Sequence, residues 1–309
     1  MSEKVVRSFL PVGHGAFTVE NIDGRHYLFD CGSLRSPAAA ESRVNHYLFP
    51  DMAIEAVFIS QMRGEYINGL ERLLEWCRVK RLFLPLPPGA KPAPPKERAR
   101  IFERELLADP EGTVGYISPH TKVVRVAEWP DGPAIPLERA PAENPGPELA
   151  AGAALTAVQN PDWIFLPCNM PDRGPGLNRM AVYSGPSHSD ARRRGALYLG
   201  GCDAADRNWT RIGLCYDRFF ENVGVLTVPQ HGSVSCFNGH IAELECDKII
   251  TAHTAAPPWR DHPHGQVILT LKRGQGRFYI CSLKNGKKYT YQTGRRKTVK
   301  DLRFLRKEL

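Results

Sequence analysis

Residues 57–74 read VFISQMRGEYINGLERLL, and three kinds of chain follow one another within that stretch. Val57, Phe58 and Ile59 are the β-branched and aromatic run of a buried strand. Ser60 to Tyr66 is polar and contains a glycine, the composition of a sharp turn. From about Ile67 the apolar positions Leu70, Leu73 and Leu74 recur at helical spacing, so a helix opens there. A polar loop between the carboxyl end of a buried strand and a helix is where α/β proteins place their chemistry. The loop is therefore the first candidate site, and the fold class is mixed α/β.

Working outward, residues 4–32, KVVRSFLPVGHGAFTVENIDGRHYLFDCG, read as strand, turn, strand, glycine-containing turn and strand, the hairpin opening of a sheet. After the loop, the helix runs through Trp76, and a short strand at Arg81 to Leu84 completes a β-α-β step. A proline cluster at 85–95 favours extended, exposed chain and leads into a charged helix near Lys96 to Leu107. Residues 130–152, rich in Pro, Ala and Gly, form a second irregular excursion between two halves, about 1–130 and 153–283. Strands resume at Leu155 to Gln159. No internal repeat is visible.

The chain of 309 residues is 42% hydrophobic and 24% charged, an ordinary globular composition long enough for a large core. Its apolar runs are shorter than a membrane span and its start lacks the apolar core of a signal peptide, which points to a cytoplasmic protein without a membrane partner. Eight scattered cysteines, with no C-x-x-C pair, suit reduced and buried thiols. The net charge of +8 is concentrated: residues 284–309 hold ten Lys or Arg against two acidic residues.

Several of these segments resemble one family. Aligned without a gap, Ser60 to Leu70 is similar to the signature loop of the metallo-β-lactamase superfamily, S/T-His-x-His-x-Asp-His-x-Gly-Gly-Leu. The variant it most resembles is the C-terminal hydrolase domain of competence-type DNA-uptake channels. Val12-Gly-His-Gly-Ala16 and Leu28-Phe-Asp-Cys-Gly32 match that domain's "VGQGDA … LIDTG". Asn178 to Tyr183, followed by Gly195 to Asp203, looks like its "NxxSLV … LLTGD" hairpin. Val225-Leu-Thr-Val-Pro-Gln-His-Gly-Ser233 resembles its "VLKVPHHGS", and Asp247 to Ala252 with His262-Pro-His264 resembles its strand and final histidine segment. Five motifs in order across roughly residues 9–270 imply an αβ/βα sandwich of four layers over residues 1–283, with site loops along one edge.

What the resemblance implies for the site is altered by the residues present. Where the family has metal ligands, this chain has Gln61, Arg63, Glu65 and Tyr66, and Gln230 precedes the retained His231. Amide oxygen is a weak ligand, guanidinium offers no lone pair, and phenol binds metal only when deprotonated. Asp30 corresponds to a residue that supports the metal loop; capping a tight turn is the plain alternative. Asp203 takes the place of the family's bridging aspartate, though Cys202 before it leaves the register open by one residue. His14 replaces a family Gln and reads as structural.

Two readings of the site follow. In the first no cofactor is held. Arg63 occupies the metal's place and pairs with Glu65 and Asp203, while Gln61, Tyr66, Gln230, His231 and His262 complete a polar network. The protein is then a non-hydrolytic binding or regulatory subunit of a larger assembly, with another protein subunit as partner. In the second, Glu65, Asp203, His231 and His262 hold Zn or Mn, and Glu65, Asp203 and His231 catalyse hydrolysis of phosphodiester bonds in a nucleic acid or nucleotide. The run Arg192 to Arg194 is a solvated hairpin turn, or lies over the site mouth. The basic C-terminal tail, 284–309, has helical spacing at Val299, Leu302, Phe304, Leu305 and Leu309, suited to docking. It also offers Arg295, Arg296, Lys297, Lys300 and Arg303 to a nucleic acid or a partner.

Overall fold

Parallel strands covered on both faces are apolar almost throughout, and the strand leading to the candidate loop, buried from its second residue on, is of that kind. In the computed structural model of the chain, which describes residues 4–86, 101–130, 138–140, 148–171, 178–252, 262–292 and 297–303, it is the fourth strand. The strands in chain order are β1 (Lys4–Phe9), β2 (Thr18–Ile22), β3 (Arg25–Phe29), β4 (Ala53–Phe58), β5 (Arg78–Val79), β6 (Arg81–Leu84), β7 (Lys122–Val126), β8 (Glu138–Ala140) and β9 (Glu148–Leu149). There follow β10 (Ala153–Ala157), β11 (Asn160–Met170), β12 (Arg179–Pro186), β13 (Gly195–Tyr198), β14 (Val223–Thr227), β15 (Asp247–Thr251), β16 (Phe278–Cys281), β17 (Asn285–Gln292) and β18 (Thr298–Arg303). The helices are α1 (Pro37–Tyr47), α2 (Gly64–Ile67), α3 (Leu70–Trp76), α4 (Ile101–Ala108), α5 (Pro110–Ile117), α6 (Asp206–Tyr216), α7 (His240–Glu243) and α8 (Gly265–Arg273).

Two sheets result. The first runs β18-β17-β1-β2-β3-β4-β6-β7-β9, with β5 beside β4; the second runs β16-β15-β14-β13-β12-β11-β10-β8. Apolar side chains sort into three clusters. One, around Val57, Leu70, Leu73 and Leu82, lies between the first sheet and its helices. A second, around Leu166, Leu197, Ile212 and Val267, does the same for the second sheet. The third, with Phe29, Phe58, Phe83, Phe165 and Tyr198, lies between the sheets, where Phe29 and Tyr198 stack at 3.6 Å. Helix, sheet, sheet, helix is the layered sandwich expected. Within the third cluster Arg7 and Glu20 pair at 2.7 Å with no solvent exposure, and Ser184 donates to the same carboxylate. Removing either partner would strand a buried charge.

Local chemistry fixes the element ends. Ser36 caps α1 through Ala39 N at 3.2 Å, and Asp109 caps α5 through Gly112 N at 3.0 Å, each followed by a proline in the first turn. All eight cysteines are free, and all but Cys236 are buried.

Three expectations need correction. The helix foreseen from Val299 is a strand over 298–303: β18 pairs antiparallel with β17, with Val299 opposite Tyr289, and the three-residue spacing then sends Val299 to the cluster between the sheets and Leu302 to the cluster on the first sheet's other face. Residues 285–292 and 298–303 are thus part of the first sheet, since β17 also pairs with β1 and buries Tyr289 and Tyr291 against the second sheet. The excursion at 130–152 contributes β8 and β9, one to each sheet. The proline cluster beyond Leu86, together with Arg295, Arg296, Phe304, Leu305 and Leu309, lies outside the described residues.

Candidate functional site

The loop after β4 is held from its start by Asp30. That residue has φ 56°, and its carboxylate accepts from Ser60 N at 2.6 Å and from Ser60 Oγ at 2.8 Å. Burial pushes the Asp30 carboxyl up to about 7 against the lowering effect of the two Ser60 bonds, and Glu65 nearby adds to the rise. Ser60 Oγ in turn accepts from Gly201 N at 2.9 Å, so one carboxylate ties β3, the loop and the segment after β13 together. The same region clamps the loop's far end: Cys31 N donates to Tyr66 O at 2.7 Å and Ala16 N to Glu65 O at 3.2 Å. Position 32 must be glycine, since a Cβ there would lie 2.4 Å from the Glu65 backbone.

At the heart of the site Tyr66, His231 and Thr251 form a chain. His231 Nδ1 lies 2.8 Å from Thr251 O, an acceptor only, so the ring proton sits on Nδ1. Nε2 is then the lone pair, and Tyr66 Oη donates to it at 3.2 Å. Burial holds the imidazole well below its ordinary value, with His14 adding to the effect, and burial lifts the Tyr66 phenol well above its own. Both groups are neutral, as the tautomer requires. Gln230 and His231 both adopt left-handed backbone, φ 43° and 57°, a strained turn of the kind found at functional sites. Gln230 Nε2 donates to Gln61 Oε1 at 3.2 Å and to Gly201 O. His14 packs its ring 3.9 Å from that of His231 and 5.4 Å from that of His262.

The structure therefore brings together Gln61, Tyr66, Gln230, His231 and His262, with His14 among them. It does not bring in Arg63, Glu65 or Asp203 as expected. Among the described residues no ion pair joins Arg63 to Glu65 or Asp203. The reason is helical phase: α2 begins at Gly64, which turns Tyr66 and Ile67 inward and leaves Arg63 and Glu65 half-exposed. Asp203 accepts from Ala205 N at 3.0 Å just before α6, while Cys202 is the buried residue of the pair. The cation whose charge acts on Tyr66 and Cys202 is Arg179, which bridges Gln61 through the backbone. Its signal in the sequence was its place in the Asn178-Arg-Met motif. His264 caps α8, accepting from Gln266 N at 3.2 Å.

A metal ion in a fold of this type needs several converging donors. Among the described residues no three His, Cys, Asp or Glu side chains converge to hold an ion. The Nε2 lone pair of His231 is taken by a phenol proton, and Gln61 Oε1 is taken by the Gln230 amide. The donor set described does not fit a metal centre, and no chemical step is derived through one.

No protein-family model matches the sequence, and no curated protein sequence matches it. Solved structures do. The chain is similar to the metallo-β-lactamase fold protein YhfI from Bacillus subtilis, with 14% identity, 94% of this chain and 99% of that one covered, and a TM-score of 0.52. It is also similar to the short form of human tRNase Z (13% identity, 90% and 92% covered, TM-score 0.49) and to a diphosphatase of the PhnP family (14%, 94% and 99%, 0.48). At these identities the likeness establishes the fold: the chain is an α/β protein with the metallo-β-lactamase fold. Among the described residues no helix is long and apolar enough to cross a membrane.

Proposed function

We propose that this chain is a non-hydrolytic member of the metallo-β-lactamase fold, a binding or regulatory subunit whose site works without metal, and that its ancestry lies near the hydrolase domain of DNA-uptake channels. The observation that carries this reading is the bond from Tyr66 Oη to His231 Nε2. A phenol proton sits on the one lone pair that the retained histidine could offer a cation. The polar atoms left over are donors: Gln61 Nε2 and Asn178 Nδ2 are buried without a hydrogen-bond partner. Buried donors without acceptors are costly, and a bound group or partner that brings acceptors relieves them.

Elemental analysis of protein purified without chelator, then soaked in Zn²⁺ and Mn²⁺, tests the proposal. Well under one equivalent is expected. One equivalent or more, lost in His231→Ala and accompanied by phosphodiester hydrolysis that falls in Glu65→Ala and Asp203→Ala, would replace it with the metal-dependent hydrolase.

A nucleic-acid contact through the C-terminal hairpin is favoured by a separate observation. Lys288 and Lys300 are exposed and directly opposite each other across β17 and β18. Like charges in that position are unfavourable, and a phosphate between them removes the repulsion. Lys297 is engaged with Asp247 at 2.8 Å, so Lys300 and Arg303 are the other tail cations offered here. Binding to arbitrary single-stranded DNA that weakens with salt, and less steeply in Lys300→Ala, is expected; absence of binding at low salt rejects the contact.

A further inference from the structure

The run Arg192 to Arg194 does not lie over the candidate site. It forms the turn between β12 and β13, beside the amino ends of β14 and β15, whereas the His231 site is at their carboxyl ends. Asp190 fixes that turn, accepting from Arg192 N at 3.2 Å, Arg194 N at 3.1 Å and Arg194 Nε at 2.8 Å. Arg194 is thereby drawn inward. Arg192 and Arg193 are left lining a cavity of about 210 Å³, with Lys297 on another wall.

The charges in this cavity do not cancel. Glu245 is taken by Arg193, and Asp247 by Lys297 at 2.8 Å with Arg277 N at 3.4 Å. Arg192 makes no ion pair among the described residues. A further donor stands behind the wall. Tyr291 is 5% exposed, and its hydroxyl has no hydrogen-bond partner. A Cβ at Gly224, which lines the cavity, would lie 3.2 Å from that oxygen and 1.8 Å from Arg193 O. Glycine is what lets the turn close against β14 with the hydroxyl so near the opening.

We propose that this cavity is a second, independent ligand site, for a small phosphate-bearing anion of the diphosphate or phosphate-ester class. One uncompensated guanidinium and a second with further N–H groups line the cavity, the Lys297 ammonium stands beside them in its pair with Asp247, and the Tyr291 hydroxyl lies behind Gly224; the excess of cationic N–H groups suits the several oxygens of a phosphate. The volume corresponds to about seven waters at ~30 Å³ each, room for more than a bare phosphate. Four strand steps of ~3.3 Å separate Asp247 from Thr251, so the cavity is roughly 13 Å from the His231 chain.

Calorimetric titration of the whole protein with pyrophosphate at low salt tests this, with inorganic phosphate as a second probe. One saturable site is expected, tighter for pyrophosphate. Arg192→Ala and Arg193→Ala should each weaken it about tenfold, the loss of one charge-assisted contact, and Tyr66→Phe should leave it unchanged. Both arginine side chains are surface groups, and circular dichroism checks that the variants fold. No saturable binding, equal affinity in the Arg192→Ala/Arg193→Ala double variant, or loss of binding in Tyr66→Phe would each overturn the assignment.

Discussion

The two ends of β14 and β15 carry opposite kinds of polar chemistry. At the carboxyl ends His231 and Tyr66 are buried, neutral and bonded to each other, with Thr251 completing the chain. At the amino ends Arg192, Arg193, Glu245, Asp247 and Lys297 line an open cavity, with Arg193 paired to Glu245 and Lys297 to Asp247. Burial makes the difference. An ion without water is costly, so the enclosed end keeps its protons where they make hydrogen bonds, while the open end leaves charge for a ligand to meet. The same strands thus present a closed network and a receptive one.

The largest expected effect probes how closed the first end is. Asp30 titrates near 7 in the folded chain, above its ordinary value of 3.8. A carboxyl with a raised folded value holds its proton more tightly folded than unfolded. Its contribution is therefore fully present below pH ~4 and lost as pH rises through about 7, on the order of 4 kcal/mol in all. His231 acts in the other direction, weakening the fold as pH drops below its unfolded value of 6.5. Urea unfolding of wild type and Asp30→Asn across pH 4 to 8 separates them, because the His231 contribution cancels in the difference. A flat difference would mean that Asp30 is not sealed from water.

Next in size is a direct contrast of the two ends. His231→Ala removes a buried ring and strands the Tyr66 hydroxyl, and should cost about 3 kcal/mol. Arg192→Ala, at the open end, should change stability by no more than ~0.5 kcal/mol. Similar losses at both would dissolve the comparison. Tyr66→Phe is subtler. It leaves His231 Nε2 without its donor and should cost about 1–2 kcal/mol by the same measurement. A neutral or stabilising result would show that the Tyr66 to His231 bond contributes nothing to the closed network.

Much of this was legible in the residue order. The motif sequence from Val12 to His264 points to the layered sandwich, and in the structure Gln61 meets Gln230 and Tyr66 meets His231. Arg63, Glu65 and Asp203 make no ion pair with one another among the described residues. Their fate depended on a helix starting at Gly64 and on a one-residue register at Cys202, neither of which a gapless alignment resolves. Thr251 carries no signal beyond strand composition, and nothing in the residue order sets the His14 ring 3.9 Å from that of His231. The apolar spacing after Lys297 has the period of a helix, and pairing with β17 overrode it.

By itself, the sequence determined the strands, loops and helices of the segment around β4 and of the opening hairpins, because apolar period and turn residues are local properties. It also determined that the loop after β4 carries Gln61, Arg63, Glu65 and Tyr66 and no histidine. Only the tertiary structure decided what those residues meet. Tyr66 and His231 are 165 positions apart, and they meet because the two sheets pack face to face and bring their loops to one edge. The same packing buries them, and burial keeps the phenol and the imidazole neutral and bonded.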